Sequence, residues 1–103
     1  MATAGEKIYE WDKQPRMPVP PPLRGSCDCQ FHLYDDPAMF PPRSNPPYPP
    51  ITSATFSEGQ RMHKAIGFDR GVIVHSAIYG SDHRLLLHAL ESLHDRDHYR
   101  GIG

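Results

Sequence analysis

The chain lacks most of the features that would announce a macromolecular partner. Its 11 Lys and Arg face 12 Asp and Glu, for a formal net charge of -1. The cations are scattered and form no basic stripe, so nucleic-acid binding has no electrostatic footprint. No apolar run approaches the roughly 18 residues that a membrane helix needs. The opening "MATAGEKIYEWDKQ" also lacks the apolar core of a signal peptide. These absences predict a soluble, cytoplasmic protein with no nucleic-acid and no membrane partner. Cysteine is scarce: only Cys27 and Cys29 occur. One residue apart on a strand, they are too close for an ordinary disulfide. With no second pair they do not make a zinc site, and they read as small buried hydrophobes.

Proline, by contrast, is abundant, with 12 residues that fall before residue 51. The sequence thus divides into a Pro-rich half interrupted by one strand and a half patterned for helices and strands. Residues 1–24 contain "PRMPVPPPLR", in which repeated prolines fix φ and remove backbone donors. This excludes helix and central strand and predicts an extended polyproline II arm on the surface. Residues 25–103 carry the elements. The alternation in "SCDCQFHLY" predicts a strand over 26–34, with Cys27, Cys29, Phe31 and Leu33 on one face and Asp28, Gln30, His32 and Tyr34 on the other. Residues 35–56 follow, with prolines spread over 37–50. They predict a long loop without regular structure, and long ordered loops of this kind are commonly functional.

The second half reads as helix, strand, helix, strand. Thr55 and Glu58 have capping-box spacing, Met62, Ala65 and Ile66 make an apolar stripe, and Gly67 supplies a stop. "RGVIVHSAIY" (70–79) predicts a strand whose Val72-Ile73-Val74 centre is apolar on both faces, as in a covered parallel sheet. Ser81 or Asp82 would cap a second helix bearing Leu85, Leu86, Ala89, Leu90 and Leu93. "YRGIG" opens a third strand. The order is βαβαβ, the unit of an α/β fold with parallel strands.

The polar face of the first strand is the informative anomaly. Against helices in an open sheet, each unpaired polar group there would cost roughly 1–3 kcal/mol. In a closed (β/α)8 barrel the same face lines the interior, and His32 and Tyr34 lie at the end that opens into the active site. A strand half-exposed to solvent, or covered by the proline arm, is the plainer alternative.

These stretches, "CDCQFHLYDDPAMFPP…YPP", "GFDRGVIVHSAIYGSDHRLLLHAL" and "YRGIG", resemble the start of amidohydrolase-superfamily enzymes. The nearest group is the amidohydrolase-related proteins similar to 2-pyrone-4,6-dicarboxylate lactonase. The resemblance runs from about Pro18 to Gly103. It implies the first, incomplete βαβαβ portion of a TIM-type barrel, behind a Pro-rich N-terminal arm. It also implies hydrolysis of a lactone or cyclic carboxylic ester, with a small carboxylate or lactone as the partner of the full-length enzyme. Asp28 matches the Asp of the family's D-x-H-x-H motif and His32 its second His, while Gln30 stands where the first His is usual. A neutral amide is a poor ligand for a divalent metal. Gln30 thus disfavours a metal cofactor, His32 being the one metal-ligand candidate, and fits a metal-independent lactonase branch. There Gln30 and His32 would polarise a carbonyl and move a proton. Tyr79 and Ser81, with Tyr34, are the expected substrate-binding residues. Asp82 is expected to cap a helix, and His75 to make a structural hydrogen bond. His63, His83, His88, His94 and His98 are expected on the barrel's outer helices or at their ends, away from the chemistry.

The family's later catalytic residues have no counterpart in this sequence, so the chain is expected to be inactive alone and to expose sheet edges open to self-association. A metal-dependent decarboxylase of the same superfamily, or a non-catalytic Pro-rich interaction protein, are the alternative functions.

Overall fold

The computed structural model describes residues 12–47, 54–93 and 98–103. The first part of the arm (1–11), the end of "NPPYPP" and His94 lie outside them. Three strands, β1 (Cys27–Phe31), β2 (Arg70–Val74) and β3 (Tyr99–Ile102), alternate with helices α1 (Phe56–Ile66) and α2 (Arg84–Glu91), and a 3-10 turn, Ala77–Tyr79, follows β2. The sheet is parallel with order β1-β2-β3. The expected βαβαβ order is therefore present.

Both helices cover the same sheet face. Gly71 and Ile73 of β2 pair with Tyr99 and Gly101 of β3, which sets these four on one side. A Cβ on Gly71 would meet His63 of α1, and one on Gly101 would meet Leu86 of α2. The opposite face carries half-exposed Val72 and Val74. This corrects the expectation of a second strand covered on both sides, since the described residues supply helices to one side only. The core under the helices contains Leu33, Phe56, Ile73, Ile78, Leu85, Leu86, Ala89 and Tyr99.

Local signals set the helix ends. Thr55 and Glu58 form a full capping box, and Gly67 ends α1 at φ 87, returning its N–H to the His63 carbonyl. The inward face of α1, however, is Phe56 and His63, both buried. Met62 and Ala65 instead line the cleft beside Lys13, Gln14 and Pro15 of the arm. The arm thus runs along α1, with Lys13 3.9 Å from Glu58, and Met62 and Ala65 face it across this cleft. In α2, Leu85, Leu86 and Ala89 are buried as the spacing predicts, with Leu90 and Leu93 packed at the margin.

The described part of the loop after β1 is anchored without becoming regular. Tyr34 and Ala54 exchange backbone hydrogen bonds of 2.9 and 2.8 Å. Phe40 is buried, and Arg43 N–H donates to the Ile78 carbonyl at 2.7 Å.

Candidate active site at the carboxyl ends of the strands

Asp28, the first polar residue of β1, does not share a face with Gln30 and His32. Its register partner is Gly71, while Phe31 pairs with Ile73, so β1 has one more residue than β2 across this span. The extra residue is a β-bulge, and a one-residue slip exchanges the faces of all that follows. The cause is local: Asp28 Oδ1 accepts the Gln30 N–H at 3.2 Å, an Asx-type contact that diverts a strand donor to a side chain. Asp28 consequently lies on the helix side, where its Oδ2 stands 2.8 Å from Nε2 of His63. The expectation that Asp28 lines the same wall as Gln30 and His32 is overturned. So is the burial of the cysteines, since Cys27 is half-buried and Cys29 exposed.

His63 lies on α1, an outer helix as expected, but on its inward side, where it is 1% exposed against the sheet. A carboxylate only accepts, so Nε2 carries the proton toward Asp28, and Nδ1 accepts from the Tyr99 hydroxyl at 3.1 Å. Phe31 meets the imidazole edge-on at 4.7 Å, and Tyr99 stacks on it at 5.8 Å. This knot ties α1 to β1 and β3. Burial, and then the Asp28 charge, push the Tyr99 hydroxyl above its ordinary pKa.

Beyond the bulge, the carboxyl ends of the strands gather five rings. Centroid separations are 6.5 Å for His32–Tyr34, 6.4 Å for Tyr34–Tyr79, 6.4 Å for Tyr79–His75 and 4.1 Å for His75–His83. Each histidine donates to a backbone carbonyl, and this fixes its tautomer. His32 Nδ1 donates to Val74 at 2.9 Å, His75 Nε2 to Gly80 at 2.7 Å, and His83 Nδ1 to Ser81 at 3.0 Å. A peptide carbonyl cannot donate, so the other nitrogen of each neutral ring is the acceptor. His32 and Gln30 are exposed. Tyr34 and Tyr79 are buried, and their hydroxyls accept from Ser76 Oγ at 3.2 Å and from the Asp35 N–H at 3.3 Å. They stand as a wall behind His32. Ser81 is exposed at the rim.

His75 makes the structural bond expected of it. His83 stands at a helix end, as expected, as the N-cap of α2, but its ring stacks on His75 and so joins the cluster. Its place after "GSD" was the available signal. Asp82 accepts the Arg84 N–H at 3.1 Å and grips the Arg84 guanidinium at 2.7–3.1 Å. The Arg84 side chain and backbone donors hold the Asp82 carboxyl down to about 2. Among the described residues, no three His, Cys, Asp or Glu side chains gather as a metal would require.

A much roomier cleft lies elsewhere. It measures about 990 Å³ at the amino ends of the strands and is lined by Arg24, Lys64, Asp69, Arg70 and Leu93, among others. The space beside Leu33, His75 and Tyr79 is only about 10 Å³. Size favours the first and chemistry the second. Ligands of parallel α/β sheets bind beyond the carboxyl ends of the strands, where the tautomer-fixed imidazoles stand, so we take the ring cluster as the candidate site. No helix of the described residues is long and apolar enough to cross a membrane.

No family profile matches the chain. A 4-sulfomuconolactone hydrolase from Hydrogenophaga intermedia is 36% identical over 76 residues, which cover 74% of this chain and 24% of that protein. Two solved structures share the fold. A probable 2-pyrone-4,6-dicarboxylic acid hydrolase from Acinetobacter baumannii, with citric acid bound, has a TM-score of 0.67 at 20% identity, covering 77% of this chain and 28% of that one. An apo structure from Agrobacterium tumefaciens has a TM-score of 0.73 at 22% identity, covering 89% and 31%. The chain spans about a quarter of the length of the curated relative it matches. The sequence likeness to this hydrolase, and the fold shared with the two solved structures, are consistent with the amidohydrolase-related, lactonase-like family.

Proposed function

We propose that the chain forms the first βαβαβ portion of a (β/α)8 lactone hydrolase, and that the ring cluster is part of its substrate site. The observation that carries the reading is His32: exposed at the carboxyl end of β1, with its Nδ1 proton committed to Val74, so that Nε2 is free to exchange a proton. Sequential parallel strands with both helices on one face suit a singly wound barrel. The two named relatives are lactone or pyrone hydrolases by name.

In this reading a lactone lies against the wall of Tyr34 and Tyr79. The Gln30 amide donates to the carbonyl oxygen, water attacks the carbonyl carbon, and His32 Nε2 takes the water proton. The ring C–O bond then breaks, and the same proton passes to the leaving alkoxide. Ser81 at the rim binds a hydroxyl or carboxylate of the substrate. The scheme routes no step through a metal, because Gln30 replaces an imidazole with a weak neutral ligand. The rest of such a barrel completes the catalytic set, so this chain alone binds without turning over. Open strand edges leave it prone to self-association. The test is calorimetry with 2-pyrone, with ultraviolet absorbance to follow ring opening. The reading expects saturable binding that is lost in His32→Ala, without hydrolysis. No binding by the wild-type chain, or saturable hydrolysis by it alone, contradicts the scheme.

A further inference from the structure

The ring cluster supplies hydrogen-bonding and apolar surface but little positive charge. Arg84 stands beside the turn after β2, yet its guanidinium is committed to both oxygens of Asp82. Asp35 and Asp36 carry negative charge nearby, and their Oδ1 atoms accept the N–H groups of Asp36 and Ala38. An anionic ring bound here would lack a counter-charge from these groups.

The loop after β1 provides one. Arg43 N–H is fastened to the Ile78 carbonyl at 2.7 Å, within the 3-10 turn that holds Tyr79. The Arg43 stem is pressed on Gly80, where an added Cβ would stand 3.3 Å from both Cβ and Cδ of Arg43. Gly80 is also the residue whose carbonyl holds His75. The side chain therefore lies on the rim between Tyr79 and Ser81, and its stem position is set by packing. Among the described residues the guanidinium's one hydrogen bond is a 3.5 Å contact from Nη2 to the Asn45 carbonyl, and Arg43 is exposed. A neutral carbonyl at that distance satisfies a guanidinium poorly, whereas a carboxylate matches its planar fork of donors.

We propose that Arg43 is the anion-reading residue of this site, binding a carboxylate on a ring substrate whose lactone carbonyl faces Gln30 and His32. The proposal rests on the lactone reading for the ring and adds the residue that selects its charge. The Pro-rich loop then has a purpose: its prolines limit the chain's freedom while the backbone bond to Ile78 delivers one cation to the rim.

The test uses the whole chain and two probes, citrate as the carboxylate and 2-pyrone as the neutral lactone, followed by amide chemical shifts. Arg43→Gln keeps the backbone bond to Ile78 and is expected to weaken citrate about ten-fold or more. Arg43→Lys should restore part of this, and Arg61→Gln, which removes an equal charge from α1, should change it less than about two-fold. 2-Pyrone binding should be indifferent to Arg43→Gln. Absence of citrate binding by the wild-type chain overturns the proposal. So does unchanged affinity in Arg43→Gln, or an equal loss in Arg61→Gln. Failure of 2-pyrone alone would refute the lactone reading, while the citrate series would still judge Arg43.

Discussion

Removing His63 should unfold much of the population, because one side chain closes the knot between α1, β1 and β3. In His63→Ala, Asp28 Oδ2 loses its 2.8 Å donor, and the carboxylate is only 22% exposed to water. A hydrogen bond to a charged group contributes about 1.5–3 kcal/mol. The Tyr99 hydroxyl loses its acceptor, at about 1 kcal/mol. Removing a buried ring that touches Phe31 and Tyr99 leaves a cavity, which adds about 2–4 kcal/mol. The sum is about 5–8 kcal/mol, comparable with the whole stability of a domain this size, about 5–15 kcal/mol. His63→Phe separates the terms, since it keeps a ring and removes both hydrogen bonds. It should cost about 2–4 kcal/mol, and Asp28→Asn, which still accepts from Nε2–H, about 1 kcal/mol. Urea unfolding followed by circular dichroism measures all three. A loss below about 1 kcal/mol in His63→Ala would refute the reasoning, because burial and two hydrogen bonds cannot be exchanged for alanine so cheaply.

Three further outcomes follow from the same geometry. The Tyr99 hydroxyl is raised by burial and the Asp28 charge, so the fold favours its protonated form. That contribution is fully present below the unfolded value of about 10 and is lost as pH rises through the higher folded value. Tyrosine absorbance should show Tyr99 ionising above the ordinary tyrosine range, and Asp28→Asn, which removes the second cause, should bring it earlier. The Asp82 carboxyl, held to about 2 by Arg84, favours the charged form in the fold, an effect present above about 4 and lost as pH falls toward about 2. Carbon-detected titration should find that midpoint, and Arg84→Gln should return it to the ordinary carboxylate range. Gly71→Ala places a Cβ 2.8–3.0 Å from Phe31, Tyr99 and His63. It should destabilise by about 1–3 kcal/mol in the same urea assay, and an unchanged midpoint would show that the aromatic layer is not packed as described.

The elements themselves were legible because each boundary has a local chemical cause. Thr55, Glu58 and Gly67 specify α1 within their own residues, and the leucines of α2 repeat at helical spacing. The faces were less legible. Strict alternation put Asp28 beside Gln30, since a period of two contains no information about a side chain that takes a strand's own N–H. The Asp itself was the missed signal, because short acidic side chains compete for nearby backbone donors. His63 could not be found from the helix pattern, because its burial depends on an acceptor 35 residues away. Met62 and Ala65 face the proline arm across a cleft, and periodicity does not name what an apolar stripe faces. At the site, residue types pointed to His32 and Tyr79, whereas His83 and Arg43 entered through a helix start and a loop anchor, features of three-dimensional proximity.

The central claim is that ligand chemistry sits at the carboxyl ends of the strands. The most direct measurement is an amide shift map of the whole chain titrated with 2-pyrone. The account predicts saturable shifts at Gln30, His32, Tyr79, Gly80 and Ser81, with Gly67, Phe68 and Asp69 at the opposite edge unmoved. Shifts centred on Gly67, Phe68 and Asp69, or none at the ring cluster, would contradict it.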